Sequence, residues 1–180
     1  KALGTNPEES PDFARIINLK NWHRQLGLLE NQKILYGGQS NIETLYLAPT
    51  LLDEPKRDSL VMNEEIFGPI LPILSYQSNS DIDTIISSFE KPLSLYLFSQ
   101  NKSFIDEILQ KYSFGGGCIN YTVNHLVNHL LPFGGVGHSG MGAYHGKLSF
   151  DIFSHKKAIV KRGTWLDLPM RYAPYKNKLK

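Results

Sequence analysis

Leu93-Ser94-Leu95-Tyr96-Leu97-Phe98, then Phe104-Ile105 and Ile108-Leu109, then Gly115-Gly116-Gly117-Cys118-Ile119 is the stretch whose pattern decides the fold. The first run is short and apolar, as a strand is, and the second repeats at helical spacing. The third is a strand opened by glycines. Strand, helix and strand in this order build a parallel sheet through a right-handed crossover. Working upstream, Ser80 is placed to cap a helix from Asp81 to Phe89, and Pro69 and Pro72 bracket a strand that runs on through Ile73, Leu74 and Tyr76. The expected class is therefore α/β, a mostly parallel sheet with flanking helices. Nearer the start, Ser10, Pro11 and Asp12 read as a helix N-terminus, with Phe13, Ile16 and Ile17 at helical spacing and the helix continuing to about Glu30. Lys33-Ile34-Leu35-Tyr36, closed by Gly37-Gly38, and Leu45-Tyr46-Leu47-Ala48, ended by Pro49, predict an antiparallel excursion. Downstream, residues 121–146 hold six glycines after Pro132 and little periodicity, which predicts a long functional loop. Ala158-Ile159-Val160 between lysines reads as an edge strand, and the remainder, with Trp165, Pro169 and Pro174, as an extended tail.

Composition narrows the classes. A chain of 180 residues with 41% hydrophobic and 20% charged residues suits one compact unit. Its 19 basic and 17 acidic side chains nearly cancel, so charge does not suggest nucleic acid as a partner. Cys118 stands alone, which rules out an internal disulfide and fits a reducing, cytoplasmic setting. No apolar run reaches membrane-spanning length, and the start at Lys1 shows neither a signal-type core nor an initiator Met. Such a start fits a piece of something longer, or simple processing.

Several constellations invite chemistry. Gly135-x-Gly137-x-x-Gly140 matches the dinucleotide fingerprint in form only, because Pro132-Phe133 stands where a strand is needed and the nearest downstream acid is Asp151. A tightly packed loop is the expectation. His125 and His129, four apart, lack the Glu of a zinc helix and any further ligand, so no metal is expected. Cys118 with His125 imitates a thiol-imidazole pair, yet Gly116-Gly117-Cys118-Ile119 reads as an interior strand with a buried, inert thiol. Glu64-Glu65 is either a solvated acidic pair or a ribose-binding carboxylate, with Phe67 two residues on able to lie against a flat ring and Gly68-Pro69 fixing the turn.

Val61-Met62-Asn63-Glu64-Glu65-Ile66-Phe67-Gly68-Pro69 decides between these, because it resembles a segment of the aldehyde dehydrogenases. Leu131-Pro132-Phe133-Gly134-Gly135-Val136-Gly137-His138-Ser139-Gly140-Met141-Gly142-Ala143-Tyr144-His145-Gly146-Lys147, with Ser149-Phe150 and Phe153-Ser154-His155, resembles the class 3 branch. The resemblance runs from Gly4 to about Tyr175. It implies that residues 1–153 are the C-terminal portion of a catalytic domain, 154–162 an oligomerisation strand and 163–180 an extended tail. It implies that Glu65 holds the nicotinamide ribose of NAD or NADP and that Phe67 borders the nicotinamide. Phe133 is implied as a wall of the aldehyde tunnel, His145 as a neighbour of it, and Val123, Leu126 and Val127 as its variable residues. Asn120 corresponds to a structural asparagine after the last parallel strand. Ala14 departs from a usual glycine, and the tail ending Tyr175-Lys176-Asn177-Lys178-Leu179-Lys180 lacks the apolar anchor of membrane-bound forms.

In that family a cysteine thiolate attacks the aldehyde, hydride passes to the cofactor, and water hydrolyses the thioester. The nucleophile, the general base, the oxyanion donor and the nucleotide-binding domain all precede the segment present here, so no catalytic residue is assigned in this chain. The implied function is a fragment of an enzyme oxidising medium- or long-chain aliphatic or aromatic aldehydes, inactive alone, with the upstream part of the same enzyme and a second copy in a homodimer as partners. The alternatives are a stand-alone structural or interaction module and, more remotely, a Cys118-dependent thiol enzyme.

Overall fold

The computed structural model describes residues 2–175. In place of the single unit expected from length, the chain divides into two compact units at Ile86/Ser87. Lys1 and the basic run Lys176 to Lys180 lie outside the described residues.

In the first unit, helix α1 (Leu19–Leu29) begins at Asn18, whose side-chain oxygen accepts from the Asn21 amide at 2.9 Å. This corrects the expected start near Ser10. The Ile16 amide donates to the Leu45 carbonyl at 3.0 Å, and Phe13 lies edge-on to Tyr46, so the apolar residues there pack from a loop. Buried Trp22, Gln25 and Leu28 share one face of α1. Strand β1 (Ile34–Tyr36) is followed by a small antiparallel pair, β2 (Ser40–Asn41) with β3 (Tyr46–Leu47), and then by β4 (Thr50–Asp53). β4 was not anticipated: Pro49 separates two strands instead of ending one. After α2 (Leu60–Asn63), β5 (Ile70–Ile73) pairs in parallel with β4, and β1 pairs antiparallel on its other side. The order β1-β4-β5 leaves β5 at an edge, where Pro72 is tolerated. Leu28, Leu47, Leu52, Val61 and Ile70 form the core. Helix α3 (Asn79–Ile86) starts two residues before the expected Asp81 and ends before Phe89, and Ser78, not Ser80, accepts from the Asp81 amide.

The second unit holds the predicted crossover. β6 (Ser94–Leu97), α4 (Lys102–Lys111, capped by Asn101) and β7 (Gly116–Ile119) form a parallel pair, Ser94 opposite Gly116 through Leu97 opposite Ile119. Gly117 is required there, since a Cβ would come within 2.0 Å of the Leu95 carbonyl oxygen. The long loop carries two short 3-10 turns, Asn124–Leu126 and Gly137–Ser139, and gives way to helix α5 (Gly146–Ile152), which the glycine-rich sequence did not suggest. Within this single chain, residues 154–162 carry no strand. A strand exists only as half of a ladder, and no described strand pairs with this segment. Nor is the tail simply extended: Arg162 holds Asp167 at 2.6 Å and a 3-10 turn spans Pro169–Arg171. Among the described residues, no helix is long and apolar enough to cross a membrane.

Candidate cofactor and substrate site

The turn after α2 separates the two adjacent glutamates. Arg24, on α1, ion-pairs with Glu64 at 3.3 Å and donates to the Glu65 carbonyl at 3.2 Å and the Ile66 carbonyl at 2.6 Å. Glu65, by contrast, is exposed, and its carboxylate has no hydrogen bond or ion pair among the described residues. Phe67 is 84% exposed with a φ of 44°, a left-handed conformation that a bulky side chain adopts only where its surroundings impose it. Its ring walls a cleft of about 490 Å³ shared with Phe13, Ile16, Ile17 and Pro69. A free carboxylate and a bare ring two residues apart suit a ribose diol and a flat heterocycle, so the residues present fit the nicotinamide half of a dinucleotide. The sequence singles out Glu65 and Phe67 but not Arg24 and Gln25, because nothing in Trp22-His23-Arg24-Gln25 marks a contact 40 residues away.

In the second unit Phe133 is the centre of a ring cluster. It stacks on His145 with centroids 6.0 Å apart, meets Tyr144 edge-on at 5.6 Å and lies 5.8 Å from His125. Its backbone pairs with Tyr144, closing the glycine loop. Within that loop Gly135 faces the Ser139 carbonyl so closely that a Cβ would lie 2.0 Å from its oxygen. Leu93, Phe133, Met141, Tyr144, Ile152 and Phe153 line an apolar cleft of about 480 Å³. His145 donates from Nδ1 to the Leu131 carbonyl at 3.1 Å, while Ser149 Oγ accepts from its amide. Val123, Leu126 and Val127 flank the other turn and do not line this cleft; His125, between them, is what reaches Phe133. Asn120 bridges the ends of β6 and β7, accepting from the Ser99 amide and donating to the Ser99 carbonyl, each at 2.8 Å.

Cys118 departs from expectation. Its thiol is partly exposed and lies 3.6 Å from His125 Nδ1, while Nε2 of the same ring is 3.5 Å from Ser94 Oγ. The pair weighed from sequence is brought together because the left-handed residues Asn120 and Val123 fold the chain back on β7, whereas the expected full burial of the thiol is not found.

The first unit thus offers a free glutamate and an exposed phenylalanine on one turn, and the second holds a parallel α/β crossover. The sequence model of the aldehyde dehydrogenase family matches residues 15–159, and the chain belongs to that family. It is 50% identical to the 4,4'-diaponeurosporen-aldehyde dehydrogenase of Staphylococcus aureus over 98% of this chain and 39% of that protein. It is 48% identical to aldehyde dehydrogenase family 3 member H1 of Arabidopsis thaliana over 97% of this chain and 37% of that one. The structure titled as a substrate-bound state of Staphylococcus aureus AldH superposes with a TM-score of 0.89 at 50% identity, covering 97% of this chain and 39% of the other. The chain thus resembles class 3 members and spans about two fifths of the length of the relatives it matches.

Proposed function

We propose that this chain is the C-terminal portion of a longer NAD- or NADP-dependent aldehyde dehydrogenase that oxidises medium- or long-chain aliphatic or aromatic aldehydes to carboxylic acids. The observation that carries this is the division of labour between Glu64, tied to Arg24, and Glu65, left free beside exposed Phe67. When bound, NAD or NADP supplies the ring that accepts a hydride. Glu65 accepts hydrogen bonds from the ribose hydroxyls, and Phe67 lies against the nicotinamide and keeps it facing the substrate. Phe133, backed by His145, supplies an apolar wall for the aldehyde chain; Val123, Leu126 and Val127, exposed on the neighbouring turn and outside that cleft, would join the tunnel only together with the rest of the enzyme. The nucleophile belongs to the upstream part of the enzyme. A name built on an aldehyde in the Staphylococcus aureus relative supports the substrate class.

Two further elements belong to the same reading. Exposed Ile159 and Val160 suit pairing of residues 154–162 with another strand in a homodimer. The free Cys118 suits the cytoplasm.

The test is Glu65→Gln in the longer enzyme. Charge-assisted hydrogen bonds contribute about 1.5–3 kcal/mol, so single-turnover formation of the reduced cofactor should slow by about tenfold or more, with a smaller loss in overall cofactor affinity. A rate equal to the parent's would remove Glu65 from the site.

A further inference from the structure

The first turns of α1 carry more contacts to the Glu64–Gly68 turn than a helix needs for packing. Gln25 is fully buried, and its side-chain amide donates to the Ile66 carbonyl, which also accepts from Arg24 at 2.6 Å. Its Oε1 has no hydrogen-bond partner among the described residues and faces Gly68. A Cβ on Gly68 would lie 2.2 Å from Gln25 Oε1, 2.4 Å from Cδ and 2.7 Å from Nε2. Gly68 does not have a positive φ, so backbone conformation does not require glycine at that position. The space occupied by Gln25 does. Burying an amide oxygen without a partner costs free energy, and the fold tolerates that cost where an apolar residue would pack without it.

We propose that Arg24 and Gln25 are positioning residues for the cofactor: they hold the carbonyls of Glu65 and Ile66 so that the Glu65 carboxylate stays free and Phe67 stays exposed in its left-handed conformation. Arg24 grips the turn from one side, through two carbonyls and the Glu64 carboxylate. Gln25 fills the space beneath Gly68 and fixes its height. The proposal rests on the reading of Glu65 and Phe67 as nicotinamide-side contacts. It adds that the affinity of that site is set from α1 by residues that never touch the cofactor.

The experiment uses the longer enzyme that carries this chain, with the dissociation constant of NADH or NADPH read by fluorescence alongside Tm and the KM values of both substrates. Gly68→Ala should weaken cofactor binding about tenfold, and Gln25→Ala added to it should return binding to within about threefold of the parent by making room for the methyl group. Arg24→Ala should weaken binding about tenfold while the aldehyde KM stays within about twofold, with Arg24→Lys falling between. Parent-like binding in Arg24→Ala, or a Gly68→Ala defect that Gln25→Ala does not relieve, overturns the proposal. Where Arg24→Ala lowers Tm sharply, the Gly68 and Gln25 pair decides the matter. Glu65→Gln and Phe67→Ala separate the two layers of argument. Parent-like binding in both removes the turn from the cofactor site, whereas weakened binding in both, with parent-like Arg24→Ala and an unrelieved Gly68→Ala defect, removes only the positioning role.

Discussion

Single residues in this chain do work that their type alone does not announce. Asn120 has a φ of 54° and clamps Ser99 through both atoms of its amide, so it combines a left-handed backbone with two side-chain hydrogen bonds. These contributions separate by mutation. Asn120→Gly keeps the backbone and loses the clamp, at about 1–2 kcal/mol, while Asn120→Ala adds the left-handed penalty of about 1 kcal/mol more. Urea unfolding of the two variants measures the difference, and equal losses would mean that the backbone is not held in this conformation. Phe133 calls for a gentler change, since its ring supports His125, Tyr144 and His145 at once. Phe133→Leu keeps much of that packing and widens the aldehyde wall, so in the longer enzyme the preference for long over short aldehydes should fall about 3–10-fold. A ratio unchanged across a chain-length series would take Phe133 out of the tunnel.

At the scale of elements, helix and strand signals held where one local pattern governed and failed where distant groups competed. The crossover β6-α4-β7 was legible because its apolar runs and the capping Asn101 all lie within the segment itself. The start of α1 was not, since the Ile16 amide finds its acceptor at Leu45, which no local reading weighs. β4 was hidden for a related reason: its partners β1 and β5 lie on either side of it in the sheet, and pairing makes a strand of the stretch after Pro49, which carries no strand signal of its own. The start of α3 yields a prediction. The Asp81 carboxylate accepts from the Gln77 and Ser78 amides, each at 3.0 Å, and these hydrogen bonds, Gln77's first, hold its pKa below the usual carboxylate range. A lowered folded-state pKa means that this stabilisation is present above the unfolded carboxylate value and is lost as pH falls through the folded one. Asp81→Asn should therefore lower Tm at neutral pH and narrow its gap from the parent as the pH approaches that of the protonated acid. A gap independent of pH would show that the carboxylate charge contributes nothing to the cap.

Across the whole molecule, the sequence carried the family, because the strings around Glu65 and Phe133 are long and specific; it also raised Cys118 with His125 as a pair, but only the structure shows their distance. That pair sharpens the last prediction, which is that the 180-residue chain alone oxidises no aldehyde with either NAD or NADP. A thiol 3.6 Å from an imidazole has the first requirement of a nucleophile, a base within reach. Oxidation asks for more: donors aimed at the developing oxyanion, and a hydride acceptor held over the carbon that the thiol attacks. His125 spends its second nitrogen on Ser94 and its faces on Tyr96 and Phe133, a setting that fixes the ring as packing. The proposed hydride-side contacts, Glu65 and Phe67, are a small part of what a dinucleotide needs to be held. The assay has two arms, reduced-cofactor formation by the purified chain with a long aliphatic and an aromatic aldehyde, and the same reaction in the longer enzyme with Cys118→Ser. Silence from the chain and turnover from the longer Cys118→Ser enzyme are expected, leaving Cys118 and His125 as a structural pair. Turnover by the chain that vanishes with Cys118→Ser would make the thiol-imidazole pair a reaction centre and replace the present reading with the thiol-enzyme one.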